Sequence, residues 1–232
     1  PAHVPAIVQQ IGTTSLPFGG LGFLILPLTL VAMLPAVALL IALPAFASRS
    51  ALPWDGLVTF FALGVGYMAV ELPFMQQMLL VLTDAPSTLA LVLAAMLVGS
   101  GGASFLAGRR PSLLWAYQPF LWAMLALVGC GPIAQRLLAF QPWVQRVLIS
   151  VLAAVVGFGI GGAFVTALST YGRQPGQRAW ALSVNGLASV LGSVCVTAMA
   201  VLWGFRAAFL AAALAYAWVA VAAGRWASSV KR

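Results

Sequence analysis

Long apolar runs dominate the chain, and short breaks rich in Gly, Pro, Ser and Arg divide them. The runs cover residues 16–47, 56–82, 88–107, 113–129, 144–170, 179–203 and 205–223. Each approaches or exceeds the ~20 apolar residues that a helix needs to cross a bilayer. The alternating segments of about 10 residues that would mark a membrane β-barrel are missing from the pattern. The chain therefore reads as all-α, a polytopic transmembrane helical bundle of about seven spans. Residues 1–15 read as an extramembrane or interfacial lead, 16–226 as the transmembrane domain and 227–232 as a basic cytoplasmic tail. Pro27, Pro35 and Pro44 predict kinks in the first span, because each removes a backbone donor and crowds the preceding turn. The turn TDAPS (83–87) predicts Ser87 or Thr88 as a helix cap. GPIAQRLLAFQPWVQR (131–146) mixes Arg and Gln with Leu, Phe and Trp, which predicts a short helix at the membrane surface.

Composition supports the membrane reading. Hydrophobic residues make up 63% and charged residues 6%, against about 25% charged in soluble domains. The net charge of +8 is spread singly or in pairs between the apolar runs, so it argues for topology and anionic lipid headgroups rather than nucleic acid. Alternating crossings put Arg49, Arg109, Arg110, Arg173, Arg178, Arg225, Lys231 and Arg232 on one side and Arg136, Arg146 and Arg206 on the other. The richer side is the expected cytoplasmic one, which places the C-terminus in the cytoplasm. Trp54, Trp115, Trp143, Trp180, Trp203 and Trp226 fall near span ends, as an interfacial belt requires. Cys130 and Cys195 have no metal-site spacing and read as buried, inert thiols.

GYMAVELPFMQQM (66–78) sets one of only three acidic residues inside an apolar run. Helical spacing puts Tyr67, Phe74, Met75 and Met78 on the face of Glu71. Pro73 frees the Ala69 carbonyl, while Gln76 and Gln77 add amides nearby. Polar groups at membrane depth face protein or water and mark candidate function. Glu71, Gln76, Gln77, Tyr67 and Asn185 form the candidate intramembrane polar site. Three readings of Glu71 stand side by side: a neutral strut between helices, a proton or cation site, or a contact with a partner subunit. Asn185 lies in AWALSVNGLASVLGS among small residues that favour close helix approach. GSGGAS (99–104) and GFGIGG (157–162) read the same way, so Gly99, Gly157, Gly161, Gly186 and Gly192 are expected at helix contacts. His3 is the single histidine and lies outside the spans. No haem or zinc ligand set and no nucleophile–base pair follows from these residues, so neither cofactor nor self-contained active site is expected.

Two segments resemble a family. GYMAVELPFMQQMLLVLTDAPSTLALVLAAMLVGSGGAS is similar to a pattern GxGF-x2-E-x4-Q-x6-7-GHP followed by an apolar helix ending SGxGS. AWALSVNGLASVLGSVCVTAMAVLWGF is similar to WAxxxNGxxSVLGSxxAxxLAxxFGF. Both belong to the C-terminal membrane region of bacterial fused major-facilitator/spermidine synthase-like proteins, and the resemblance covers residues 56–223. It implies a bacterial inner-membrane protein with six spans like a major-facilitator half, plus one extra N-terminal span. It puts Glu71, Gln76, Asn185 and Gly186 on motif positions. The family's basic residue after the Gln is Gln77 here, its GHP turn is TDAP, and its MPFP stretch is GAFVTAL. No transferase domain accompanies the spans, so no catalysis carries over. The expected function is a non-catalytic subunit or scaffold that packs against other membrane subunits. The alternative is a carrier or half-carrier for a cationic, polyamine-like solute.

Overall fold

The computed structural model describes Val31 and residues 52–82, 84–110 and 112–230, with side chains through Arg225. The expected lead (1–15), nearly all of the expected first span and the end of the basic tail lie outside the described residues. Six helices follow in order: α1 (Trp54–Leu82), α2 (Ala85–Arg109), α3 (Leu114–Leu137), α4 (Pro142–Tyr171), α5 (Pro175–Trp203) and α6 (Phe205–Val230). All six are long and apolar enough to cross a membrane, and no strand occurs among the described residues. The chain is thus an all-helical, multi-pass membrane protein.

Local chemistry explains the helix ends. Pro86, Pro142 and Pro175 sit in the first turns of α2, α4 and α5, where a missing N–H costs nothing. Asp84, rather than Ser87 or Thr88, is the residue that caps α2. Both side chains reach back to it: Ser87 Oγ donates to the Asp84 carboxylate, and Thr88 Oγ1 to its carbonyl at 2.6 Å. Gln174 and Gln177 form a reciprocal cap on α5. Gly204 separates α5 from α6 at φ 82°, a conformation that disfavours side chains.

The surface helix expected over 131–146 does not form. Gly131–Leu137 instead continues α3 straight through Pro132, and α4 begins at Pro142. The turn between them is tied by the buried Gln145, whose Nε2 donates to the carbonyls of Leu137 and Phe140 at 3.1 and 3.0 Å. The mixed polar pattern there serves the turn, not a membrane surface. Trp54, Trp143 and Trp203 are exposed at helix ends, whereas Trp180 is buried. Cys130 is buried as expected, but Cys195 is exposed on α5.

α1 and α4 are the central helices, and the outer helices pair with them in a pattern that repeats. The most extensive packing is α2 on α4 and α5 on α1, and α3 packs on α6. The triplet α1–α3 therefore corresponds to α4–α6, with α1 matching α4 and α2 matching α5. Three crossings separate the matched helices, so they traverse the membrane in opposite directions, the arrangement of inverted repeats.

Glycines make the close approaches possible. A methyl at Gly64 would overlap the Asn185 carbonyl on α5, and one at Gly161 would stand 2.5 Å from Ser100 Cα on α2. Gly99 and Gly157 are blocked likewise by the Ala154 and Met96 carbonyls. Gly192 lies against Val65, whose Cα a methyl at Gly192 would approach to 3.1 Å. Gly186 faces open space, so it makes no helix contact within the described residues. The small-residue pattern around it does pack, but through Ala188 and Gly192 on the neighbouring face.

Candidate functional site

α2 and α5 scarcely meet, and between them lies a cleft of about 330 Å³ floored by α1, α4 and α6. Leu63, Tyr67 and Met68 line it from α1, Leu97, Ser100 and Ser104 from α2, and Ile160, Gly161 and Phe164 from α4. Asn185 and Ser189 line it from α5, and Tyr216 from α6. The lining is built twice. Leu63 corresponds to Ile160, Gly64 to Gly161 and Tyr67 to Phe164 at one constant spacing. Ser100 corresponds to Asn185, and Ser104 to Ser189, at another. The bonding repeats with it: Ser104 Oγ donates to the Gly161 carbonyl at 3.0 Å and Ser189 Oγ reaches the Gly64 carbonyl at 3.5 Å.

The serine hydroxyls have already spent their protons. Ser100 Oγ donates to the Leu97 carbonyl at 3.2 Å, and Ser189 Oγ donates to the Asn185 carbonyl at 2.9 Å. Their lone pairs are what remain for the cleft. The Tyr67 phenol engages the Ser100 side chain. Among the described residues, no Lys, Arg or His lines the cleft. Its polar surface there combines serine acceptors with the Asn185 amide and the Tyr67 and Tyr216 hydroxyls.

Glu71 lies one turn from Tyr67 along α1 and is buried at 7% exposure, off the cleft wall. It makes no hydrogen bond or ion pair to another described residue. Phe74 and Met78 on its face are fully buried. Tyr67 and Tyr216, the ionisable side chains that line the cleft among the described residues, both interact with it electrostatically. Tyr216 is itself only 1% exposed, and its ring lies flat against Gly66, 3.0 Å from where a Cβ would sit.

The five sequence-derived polar residues thus divide into three groups. Tyr67 and Asn185 meet across the cleft, and Glu71 lies behind it. Gln77 faces elsewhere, into a pocket of about 40 Å³ with Val128, Pro132, Arg206 and Phe209, where its buried Oε1 has no partner. Gln76 is half-buried and lines none of these cavities. Pro73 does not break α1. Sequence reasoning missed Tyr216, because a lone Tyr in an alanine-rich helix carries no local signal. It also missed the serines of α2, although their spacing in GSGGAS mirrors that of Asn185 and Ser189 and held the clue.

No cluster of His, Cys, Asp and Glu suited to a metal occurs among the described residues. The chain matches no protein-family model, no curated protein and no solved structure. Fold and site therefore define it as a multi-pass helical membrane protein with a polar cleft between two like halves.

Proposed function

We propose that the chain is a carrier or half-carrier of a bacterial inner membrane, with its C-terminus cytoplasmic, that takes a small cationic solute and uses Glu71 as a proton or cation site. The cleft between α2 and α5 is the observation that carries this reading. A surface of hydroxyl and amide groups that offers acceptors, with no cationic side chain among its described residues, favours a solute that donates hydrogen bonds and bears positive charge. Glu71 has no basic partner among the described residues, and a bare carboxylate is costly to bury, which supports reading it as the holder of a proton or a cation. Solute and proton can then exchange across a shared electrostatic site near the cleft floor. The paired halves support the same reading, because carriers place their solute where inverted repeats meet. A second helical unit over the open side would complete the path. A polyamine-like solute also suits the family that residues 56–223 resemble.

The test is binding of a linear diamine to the purified protein by calorimetry, with a dicarboxylate of equal length as control. The diamine should bind, the dicarboxylate should not, and Asn185→Ala should weaken diamine binding about tenfold, or ~1.4 kcal/mol. Equal binding of both solutes, or of neither, would refute the reading.

A second reading, a non-catalytic subunit, rests on a separate observation. Gly101 and Gly186 occupy corresponding places beside the cleft and have nothing near them. Bare glycines on helix walls permit close approach of further helices. Under this reading, Gly101→Leu and Gly186→Leu shift the complex extracted in mild detergent to smaller size while the monomer stays folded. An unchanged size would remove its support.

A further inference from the structure

The acid is buried and does not line the cleft, yet two phenols that line the cleft interact with it. Tyr67 lines the cleft, engages Ser100 at its surface and precedes Glu71 by one helical turn. Tyr216 enters from α6, lines the same cleft, is otherwise fully buried and rests on Gly66 of α1. A Cβ at Gly66 would stand 3.0 Å from the ring and push it back by a few tenths of an ångström. Both phenols interact with Glu71, and Tyr216 also interacts with Tyr67. The other groups around the acid do not compete. Cys130 on α3 lines a separate apolar pocket beside Phe74 and Trp122, Ser100 and Asn185 are neutral, and the arginines of α2 to α6 stand at helix ends.

We propose that the Tyr67 and Tyr216 hydroxyls form the proton path between the cleft and Glu71. The inference rests on the reading of the cleft as a water-accessible solute site, and it assigns Tyr216 a role that no motif suggested. In the transfer, the carboxyl passes its proton to a bridging water as that water passes one to a phenol oxygen and the phenol releases its own to a cleft water. The bridging water and the phenol end as they began, the carboxylate is left charged, and the cleft water carries the proton away. An arriving cation offsets the charge on Glu71, and the reverse sequence restores the acid. The phenols serve the exchange as proton-transfer groups, and Tyr67 also offers its hydroxyl to the solute.

The experiment is infrared spectroscopy of the full chain in lipid, following deuterium exchange at the carboxylic C=O band of Glu71. Glu71→Gln assigns the band by removing it, and only Asp55 and Asp84 could otherwise contribute. The wild type should exchange quickly on transfer to heavy water. Tyr216→Phe and Tyr67→Phe should each slow exchange by about tenfold, and the double variant by more, within the range over which a proton-transfer group usually acts. Each variant's size-exclusion profile reports folding, and Tyr67→Phe alone keeps the test open should the more deeply packed Tyr216→Phe not assemble. Exchange in a folded double variant as fast as in the wild type would overturn the proposal, as would a wild type without the band. The readout needs no solute. Slowed exchange with no diamine binding would leave the path standing and remove the carrier reading, whereas diamine binding with unchanged exchange would do the opposite.

Discussion

The packing of α5 on α1 and that of α2 on α4 share a design but not a chemistry. In each, a glycine of the central helix meets the backbone of the outer helix, and a serine of the outer helix reaches that glycine's carbonyl. In each, an aliphatic residue just before that glycine and an aromatic residue about one turn after it face the cleft. Beyond that the halves diverge. Where α1 has Tyr67 and Glu71, α4 has Phe164 and Leu168. Phe164 instead packs edge-on to Phe60 at 5.6 Å, closing the apolar side of the cleft. Duplicated packing thus makes a symmetric frame, and the acid with the phenol one turn before it lies in one half alone. Close approach demands small residues at fixed places in both halves, whereas one acid suffices for one exchange.

Four sets of substitutions probe this contrast, taken from the largest expected effect. Gly64→Leu and Gly161→Leu should each abolish the folded protein in fluorescence-detected size exclusion, since a Leu side chain must displace a backbone rather than a flexible tip. The alanine versions should cost about 1–3 kcal/mol each in a thermal or denaturant series, the range for overpacking. Unequal losses would show that the halves do not share a frame. Next, Tyr67→Phe should weaken diamine binding about tenfold while Phe164→Tyr leaves it within about twofold, the difference a single lost hydrogen bond of ~1.4 kcal/mol makes. Equal effects would return the chemistry to both halves.

Third, Glu71→Gln should keep the midpoint of thermal unfolding within a few degrees, because the site asks only for a neutral group of the same shape. The same change should remove any pH dependence of diamine binding. Loss of the folded protein at neutral pH would show that the carboxylate itself is a structural element. The smallest effects are those of Ser104→Ala and Ser189→Ala, each expected to cost about 0.6 kcal/mol, the mean for hydrogen bonds between membrane helices. The serine with the shorter bond, Ser104 at 3.0 Å, should cost the more of the two.

Hydrophobic run length was enough to read α1, α2, α4 and α5 to within a few residues, because a bilayer demands a minimum apolar stretch. It failed at 131–146. There Gln145 and Arg136 look interfacial in the sequence, but Gln145 is spent on carbonyls of a turn that only the finished fold brings together. The polar site was half legible for a similar reason. Helical spacing pairs Tyr67 with Glu71, since both lie on one helix. The meeting of Tyr67 with Asn185 and Tyr216 depends on how α5 and α6 dock, and no single-helix pattern encodes that. Gly186 looked like a packing residue by its neighbours, yet a rotation of one residue along α5 turns it outward while Ala188 and Gly192 face α1.

The central claim is that a solvent-reaching cleft holds Asn185 and Ser104 while Glu71 sits behind it. Single cysteines at Asn185, Ser104 and Glu71, made with Cys130 and Cys195 replaced by Ala, should be exposed to a membrane-impermeant thiol reagent in reconstituted vesicles of mixed orientation. The account predicts labelling at Asn185→Cys and Ser104→Cys that a linear diamine suppresses, and no labelling at Glu71→Cys. Unlabelled cysteines at both cleft positions, or a freely labelled one at position 71, would contradict it.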